Sequence, residues 1–244
     1  MFDALKRCVL GRMMTDSCVK RLYTIHPETV WLALKQRGRL YVDPKHWIFD
    51  GVPPAYDWLK IRLEEFIPGY GQHYPWFAFL EQPNLDDWRG RNALWLESPT
   101  WVCIELDAEK ISFLTFRSWA WNRVFCQDYL ALTKEEYECW CAGLPEPFRR
   151  GEEWPPPEPW RSELELSWNR LFDPNLPSHD WDVSLPWCHV ELWEAVFEYL
   201  DLADVVSARV FEVERPTVWE PWMRAFNTNV RRRKAGKVAG RENC

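Results

Sequence analysis

The alternation of apolar and polar residues is most regular over residues 22–43. Residues 22–25 are β-branched, aromatic or apolar and stop just before Pro27, which is typical of a strand. After Pro27, a residue suited to the first turn of a helix, apolar positions recur at helical spacing. Gly38 can adopt the left-handed conformation that ends a helix, and residues 40–42 are again typical of a strand. We therefore predict a strand, a helix and a second strand here.

The remaining pattern predicts helices and strands without strict β–α–β alternation. The predicted helices cover residues 56–66, 118–130, 134–141, 162–172, 201–208 and 217–230. The predicted strands cover residues 74–80, 101–107, 111–114, part of 187–197, and 210–213, while residues 82–91 are predicted as a loop. Ser162 and Glu165 have the spacing of a capping box at a helix start. This order predicts an α+β fold with a mixed or antiparallel sheet and flanking tryptophan-rich helices.

We expect a single α+β domain over residues 22–230. Residues 1–21 are a weakly patterned basic extension, and residues 231–244 are a basic tail. Prolines crowd residues 145–160, which predicts an irregular connector that wraps one domain.

Composition restricts the class of protein. A hydrophobic content of 47% with 27% charged residues is ordinary for a globular chain, and a net charge of -7 gives no general attraction to nucleic acid. No apolar run approaches the ~20 residues that cross a bilayer. No secretory signal is recognised at the N-terminus, so we expect a cytoplasmic protein. Most of the 18 Trp must line a core or a cleft, since an exposed indole surface of that size would drive association.

Several chemical motifs are absent from the sequence. There is no glycine-rich phosphate loop and no Gly-x-Ser-x-Gly elbow, which excludes ordinary NTPases and α/β-hydrolases. Cys139 and Cys141 lack the usual zinc spacing, so we expect no metal site. Basic residues at 231–234 can contact nucleic-acid phosphates, although one tail on an acidic body makes a poor stand-alone binder.

Three glutamates and one histidine are candidates for chemistry. If residues 191–198 form a helix, Glu194 and Glu198 are an exposed pair. If they form a strand, Glu191 faces away from Glu194 and Glu198, which then share a face, and neighbouring carboxylates suit acid–base work. His26, directly before Pro27, is either a capping or surface residue or a ligand. Both interpretations stay open for each group.

A series of short motifs runs through the chain. Residues 22–25 precede a helix that contains Trp31 and ends at Gly38-x-Leu40, and Tyr-Asp-Trp follows at residues 56–58. Late in the chain comes Glu194-Ala195-Val196-Phe197. This order, over roughly residues 22–211, resembles a family of bacterial and phage proteins classed as a domain of unknown function. That family begins Leu-Trp-Thr-Ile-Gln and ends with a Gln-Ala-Thr-Phe strand, so His26 and Glu194 stand where it has glutamine.

The same features are distantly similar to ADP-ribosyltransferase-like folds, which open with a strand, a helix and Gly-x-Leu and carry a catalytic Glu or Gln on a late strand. The resemblance implies an Arg or His on the first strand that engages the cofactor. The matching position is Thr24, and His26 shares its face if the strand continues. The resemblance also implies NAD as cofactor and Glu194 as the carboxylate that stabilises the oxocarbenium-like cation. The remaining implied cofactor contacts are Tyr23, Thr24, Tyr41 and Trp76, whose aromatic members can stack on nicotinamide.

We therefore expect a nucleotide-handling enzyme resembling NAD-dependent ADP-ribosyltransferases, with Glu194 and His26 converging on one concave pocket. The alternative is a non-catalytic module that binds a small molecule or peptide in an aromatic cleft, with its glutamates facing solvent. A third hypothesis is a phage or defence-associated protein that binds a partner through residues 231–244, without a polar cleft in the domain.

Overall fold

The computed structural model describes residues 19–46, 54–92, 98–149, 155–177 and 192–213. The helix predicted over 217–230, the basic tail and nearly all of the extension over 1–21 lie outside these residues.

The strands within this part of the chain are β1 Arg21–Pro27, β2 Arg39–Tyr41, β3 Trp76–Phe79, β4 Thr100–Asp107, β5 Phe113–Arg117, β6 Trp193–Phe197, β7 Tyr199–Asp201 and β8 Val205–Glu212. The α-helices are α1 Glu28–Arg37, α2 Pro54–Phe66, α3 Leu85–Asn92, α4 Ser118–Phe125, α5 Lys134–Gly143, α6 Glu146–Arg149 and α7 Trp160–Ser167. Short 3₁₀ turns cover Pro44–His46, Ala108–Lys110, Trp168–Phe172 and Leu202–Asp204.

The predicted strand–helix–strand opening is confirmed as β1, α1 and β2. Glu28 lies in the first turn of α1 and two basic residues lie in its last turn, an arrangement that opposes the helix dipole at both ends. Gly38 follows the helix with a φ of 76°, and its N–H donates to the Leu34 carbonyl oxygen at 2.8 Å. The left-handed conformation at Gly38 therefore turns the chain directly into β2.

An antiparallel six-stranded sheet, in the order β5-β6-β3-β1-β4-β8, organises the fold, and β2 and β7 form a separate two-stranded sheet. The predicted α+β class is confirmed, and the sheet is antiparallel rather than mixed. In the register, Tyr23 pairs with Phe79, Phe79 with Glu194, and Glu194 with Phe116. Directly opposed residues of an antiparallel sheet share a face, so these four side chains lie on the same side.

Two hydrophobic clusters cover the two faces of the six-stranded sheet. We call the face that packs against the buried apolar residues of α2, α4 and α7 the bundle face. Its sheet residues are Phe77, Leu114, Phe116 and Val196. On the α1 face, sheet residues pack with Leu34 of α1 and with Leu40 and Leu200 of the two-stranded sheet; they are Leu22, Ala78, Ala195 and Phe197.

The predicted tryptophan-rich helices are confirmed on the bundle face. Trp58 of α2 lies edge-on to Trp168 with ring centroids 5.7 Å apart, and Trp119 of α4 is almost fully buried in the same cluster. Such rings bury large apolar areas and therefore contribute heavily to the core.

Two elements differ from the sequence prediction. The loop predicted over 82–91 contains α3, which begins after Asn84, whose side-chain oxygen accepts hydrogen bonds from the N–H groups of Asp86 and Asp87. An Asn cap followed by acidic residues is a standard helix start, and it outweighs the low apolar content of this segment. The helix predicted over 201–208 is wrong, because Val205 begins a strand that continues to Glu212. Its β-branched and exposed positions suit an extended conformation.

Two helix boundaries also differ. The helix predicted over 118–130 ends at Phe125, and Gln127 then takes a φ of 58°. The predicted capping box is wrong, because Ser162 lies inside α7, where its hydroxyl bonds Glu158 at 2.6 Å.

The chain divides into two compact units, Met1–Pro83 with Trp101–Phe211 and Asn84–Thr100 with Glu212–Cys244. The first unit contains the central strands of the sheet and both hydrophobic clusters. The second contains α3, in which Arg89 donates to the Glu212 carbonyl oxygen at 3.1 Å. The predicted bounds of the extension, domain, connector and tail stay predictions.

Helix α2 offers a test of the bundle-face core with a matched control. Leu63 is fully buried, whereas Ile61 on the same helix is 52% exposed. We expect Leu63→Ala to lower the free energy of unfolding by about 2–5 kcal/mol, because it leaves a cavity in a packed core. We expect Ile61→Ala to change it by no more than about 0.5 kcal/mol, since its side chain is mostly in water. Urea denaturation measures both, and equal losses would contradict the packing described here.

Candidate functional site

Glu194 lies on the bundle face at the start of β6. The Ser118 hydroxyl, at the first residue of α4, donates to Glu194 Oε1 at 2.5 Å. Burial raises the pKa of the Glu194 carboxyl, and the hydrogen bond from Ser118 opposes that shift. Burial, and after it the charge of Glu194, raises the pKa of Tyr56 to about 12. Glu194 is therefore half-buried among α2, α4 and β6.

His26 lies on the other side of the sheet. Thr24 donates its hydroxyl hydrogen to the Phe77 carbonyl oxygen at 2.7 Å, and His26 Nε2 lies 2.6 Å from Thr24 Oγ1. Because that hydroxyl has one hydrogen, Nε2 must be the donor, and Nδ1 of His26 carries the lone pair. The His26 ring lies edge-on to Trp76 at 4.8 Å between centroids. The predicted common face of Thr24 and His26 is confirmed.

The expected convergence of Glu194 and His26 on one pocket is wrong. Glu194 shares a face with Phe79 and Tyr23 through the register, whereas His26 is three residues along β1 from Tyr23 and so points the opposite way. The six-stranded sheet separates the two side chains. Whether Glu194 has a chemical role of its own stays a prediction.

Tyr23 also lies apart from Thr24, His26 and Trp76. It is on the bundle-face side of β1, paired with Glu105 of β4. Burial raises the pKa of Tyr23, and the nearby charge of Glu105 adds to the shift. The six residues implied by the resemblance therefore do not line one pocket.

Tyr41 lies on the outer side of the two-stranded sheet. Leu40, next to it, packs into the α1-face cluster, and its carbonyl oxygen accepts a hydrogen bond from Trp76 Nε1 at 3.2 Å. Side chains alternate along a strand, so Tyr41 points away from that cluster and is 42% exposed. Its ring stacks on His73, with centroids 3.9 Å apart and planes inclined by 27°.

A carboxylate–histidine pair lies beside Tyr41. Glu198, in the bend between β6 and β7, has Oε1 2.7 Å from His73 Nδ1, and the same oxygen accepts the Gly71 N–H at 2.7 Å. The Glu198 side chain is 13% exposed, whereas that of His73 is 41% exposed. A partly buried acceptor therefore holds an imidazole that opens to solvent.

We call this group the His73 cluster; its members are Arg39, Tyr41, Gly71, His73, Glu198 and Tyr199. Arg39 lies over the Tyr199 ring at 4.1 Å from guanidinium carbon to centroid, and it bonds Asp201 across the β2–β7 pair. The cluster combines an exposed aromatic ring, a carboxylate, an imidazole and a guanidinium. This is a set of groups that can stack on a base and move a proton.

Tyr41 and Glu198 were among the candidates predicted from the sequence, but His73 was not. The only local signal was the pair Gly69 and Gly71, which lies just before His73 and indicates the end of a helix. Glu198 was considered as part of a regular helix or strand, whereas the strand ends at Phe197 and the chain bends at Glu198. That bend takes Glu198 away from Glu194 and towards the loop before β3.

Other kinds of site were sought over the described ranges. No group of three or more His, Cys, Asp or Glu side chains that could hold a metal ion occurs there. No helix in this part of the chain is long and apolar enough to cross a membrane.

Fold and site together define an α+β protein with an antiparallel sheet, aromatic cores on both faces and a carboxylate–histidine pair at its two-stranded sheet. The chain belongs to the family described as a domain of unknown function, DUF3841, whose sequence profile matches residues 21–219. This confirms the predicted kind of family. No curated protein and no solved structure matches the chain.

The lowered pKa of His26 predicts a dependence of stability on pH. Burial lowers the pKa of His26 from 6.5 to about 4, so the unfolded chain binds the proton first as the pH falls. The stability associated with neutral His26 is therefore complete above pH 6.5 and is lost as the pH falls towards 4. Urea denaturation between pH 7 and pH 4.5 should show a shallower loss in His26→Gln, since its amide retains the donor to Thr24 without titrating. Parallel curves for the two proteins would contradict the burial of a neutral imidazole.

Proposed function

We propose that this protein is a nucleotide-handling enzyme similar to NAD-dependent ADP-ribosyltransferases, with NAD as its cofactor and the His73 cluster as its reaction site. One observation carries the proposal: the exposed ring of Tyr41 and the carboxylate of Glu198 both contact His73. An exposed ring beside a carboxylate suits a nicotinamide riboside, which has a flat aromatic end and ribose hydroxyls next to the bond that breaks.

Glu198 is the carboxylate in this proposal. Its Oε1 already accepts two hydrogen bonds, from Gly71 and His73, while Oε2 has no partner among the described residues. Oε2 is thus available to accept a hydrogen bond from a ribose hydroxyl. The negative charge then stabilises the oxocarbenium-like cation that develops as neutral nicotinamide leaves.

The neighbouring residues supply binding and position. Tyr41 offers its outer face for stacking, and the Arg39 guanidinium, whose Nε and Nη2 bond Asp201, has Nη1 left to donate to a phosphate group. Trp76 acts through its hydrogen bond to the Leu40 carbonyl, which fixes the strand that carries Tyr41.

Glu198 replaces Glu194 in the proposed role because of their surroundings. Glu194 bonds Ser118 beneath α4, and its charged form is disfavoured by burial. Cation stabilisation needs an ionised group that substrate can reach, and Glu198 is next to exposed side chains.

The broader setting belongs to the same proposal. We propose a bacterial or phage protein that works in the cytoplasm, with a small nucleotide bound and a protein as a candidate acceptor. Nucleic-acid contact through residues 231–244 is a lesser hypothesis.

A non-catalytic module is the second candidate function. The exposed Tyr41 ring favours it, since stacked and exposed aromatic rings also bind small molecules and peptides without chemistry.

The test is NAD-dependent thermal melting followed by assay of nicotinamide release. NAD at about a hundredfold its Kd should stabilise the native protein by about 2.7 kcal/mol, because it binds only the folded state. Glu198→Gln should lower nicotinamide release about 100-fold or more, the range for removing one group that stabilises transition-state charge. Glu163→Gln, at an exposed position of α7, controls for the substitution itself.

Glu194→Gln separates the two carboxylates. We expect it to retain release, and release lost in Glu194→Gln but retained in Glu198→Gln would return the role to Glu194. A melting shift without nicotinamide release would favour the binding module. No shift at millimolar NAD would sink the nucleotide proposal.

A further inference from the structure

The protonation pattern of His73 follows from its partner. A carboxylate only accepts hydrogen bonds at neutral pH, so Nδ1, 2.7 Å from Glu198 Oε1, must carry the proton. In the neutral ring Nε2 then has a lone pair. No described residue bonds Nε2, and the His73 side chain is 41% exposed. The imidazole therefore presents a proton acceptor to solvent.

The loop that carries His73 is constrained on several sides. The Tyr70 hydroxyl donates to the His73 carbonyl oxygen at 2.6 Å, and Tyr41 stacks on the ring. Between them, Gln72 has a φ of 63°, an uncommon conformation for a residue with a side chain. These contacts hold the imidazole in one orientation before any ligand arrives.

Gly71 permits the close approach of the loop to the carboxylate. A Cβ atom at this position would lie 2.6 Å from Glu198 Oε1 and 3.1 Å from His73 Nδ1. Only glycine allows the backbone N–H and the imidazole to share the same carboxylate oxygen. The pair is thus built by three separate features: the bend at Glu198, the absent side chain of Gly71 and the stack with Tyr41.

We propose that His73 is the general base that activates the acceptor, and that the acceptor is a group that carries a proton at neutral pH, with a hydroxyl as the simplest case. This inference rests on the proposed function and deepens it. A partly buried carboxylate that orients an exposed imidazole is an arrangement used to remove a proton from a nucleophile. A carboxylate acceptor would need no such base, because it has no proton to lose at neutral pH.

The proposed step balances as follows in atoms and charge. The acceptor O–H gives its proton to His73 Nε2 as its oxygen forms a bond to ribose C1′. The bond from C1′ to the nicotinamide nitrogen breaks, and its electron pair stays with nicotinamide, which leaves neutral. Glu198 stabilises the His73 imidazolium until the ring releases the proton to solvent. Water is the simplest acceptor, and its reaction is hydrolysis of NAD.

Other groups near the imidazole could also contribute to the dependence of the reaction rate on pH. The titratable and charged groups around it are Glu198, Tyr41, Tyr70, Tyr199 and Arg39. Burial, followed by the charge of Glu198, raises the pKa of Tyr70, so its phenol stays neutral through the histidine range. A rate that rises with pH would therefore report a base other than the Tyr70 phenol.

The first test reads the tautomer without any cofactor. The chain has 5 His, and the signals of His73 are assigned by their loss in His73→Gln. Long-range proton–nitrogen NMR spectra should show His73 protonated at Nδ1 in the wild type. Gly71→Ala should disturb this pattern, because its Cβ displaces the Glu198 carboxylate without removing either group. Gly143→Ala, whose Cβ meets only an ordinary contact at 3.9 Å, should leave it unchanged. A wild-type ring protonated at Nε2 alone would overturn the proposal.

The second test uses NAD hydrolysis. His73→Gln should retain the NAD-dependent melting shift but release nicotinamide about 100-fold more slowly, in the range expected for loss of a general base. It should also change the dependence of the rate on pH, since the base that accepts the proton is gone. An unchanged rate and pH profile in His73→Gln, with an active wild type, would overturn the general base alone. Neither binding nor turnover of NAD by the wild type would overturn the proposed function and this inference with it.

Discussion

The register of the central strands β6, β3 and β1 is the constraint on which the rest of the structure depends. Side chains alternate between the two faces along each strand. A shift of the register by one residue would therefore move every side chain of that strand to the opposite face. The register sends Phe77 and Val196 to the tryptophan-bearing helices and Ala78 and Phe197 to α1. Because both faces are buried in apolar clusters, a slipped register would place polar residues such as Thr24 and Glu194 in the wrong core. Burial of both faces thus fixes the register of the sheet, and the register determines which candidate side chains lie close together.

Local signals in the sequence predicted the elements that depend on local chemistry. Pro27 and Gly38 mark the two ends of α1 because each has a backbone preference that acts without tertiary contacts. The cap at Asn84 was an equally local signal, but the segment after it has few apolar residues and was taken as a loop. Residues 205–208 were misassigned because their β-branched residues are only a weak local signal, and the strand is fixed by pairing in the sheet.

The candidate site was less predictable for a topological reason. Thr24 and His26 were correctly placed on one face because that relation depends only on alternation along a strand. The relation of His26 to Glu194 depends on the register of three strands, which no local pattern reveals. The contact between His73 and Glu198 joins residues 125 positions apart, and it exists because β3 and β6 pair and the chain bends just after Phe197. A single sequence contains no signal for that bend.

The members of the His73 cluster are far apart along the sequence, which affects when the cluster can form during synthesis. Arg39 and Asp201, which close the two-stranded sheet, are 162 positions apart, and Gly71 and Glu198 are 127 apart. During synthesis, the chain that carries Tyr41 and His73 emerges long before the carboxylate that orients the imidazole. An incomplete chain that ends before Glu198 can form β1 and α1, but it has neither the carboxylate nor the strand that pairs with β2. Fragments that end before Glu198 therefore lack the assembled cluster, which exists only in chains that have been translated past β7.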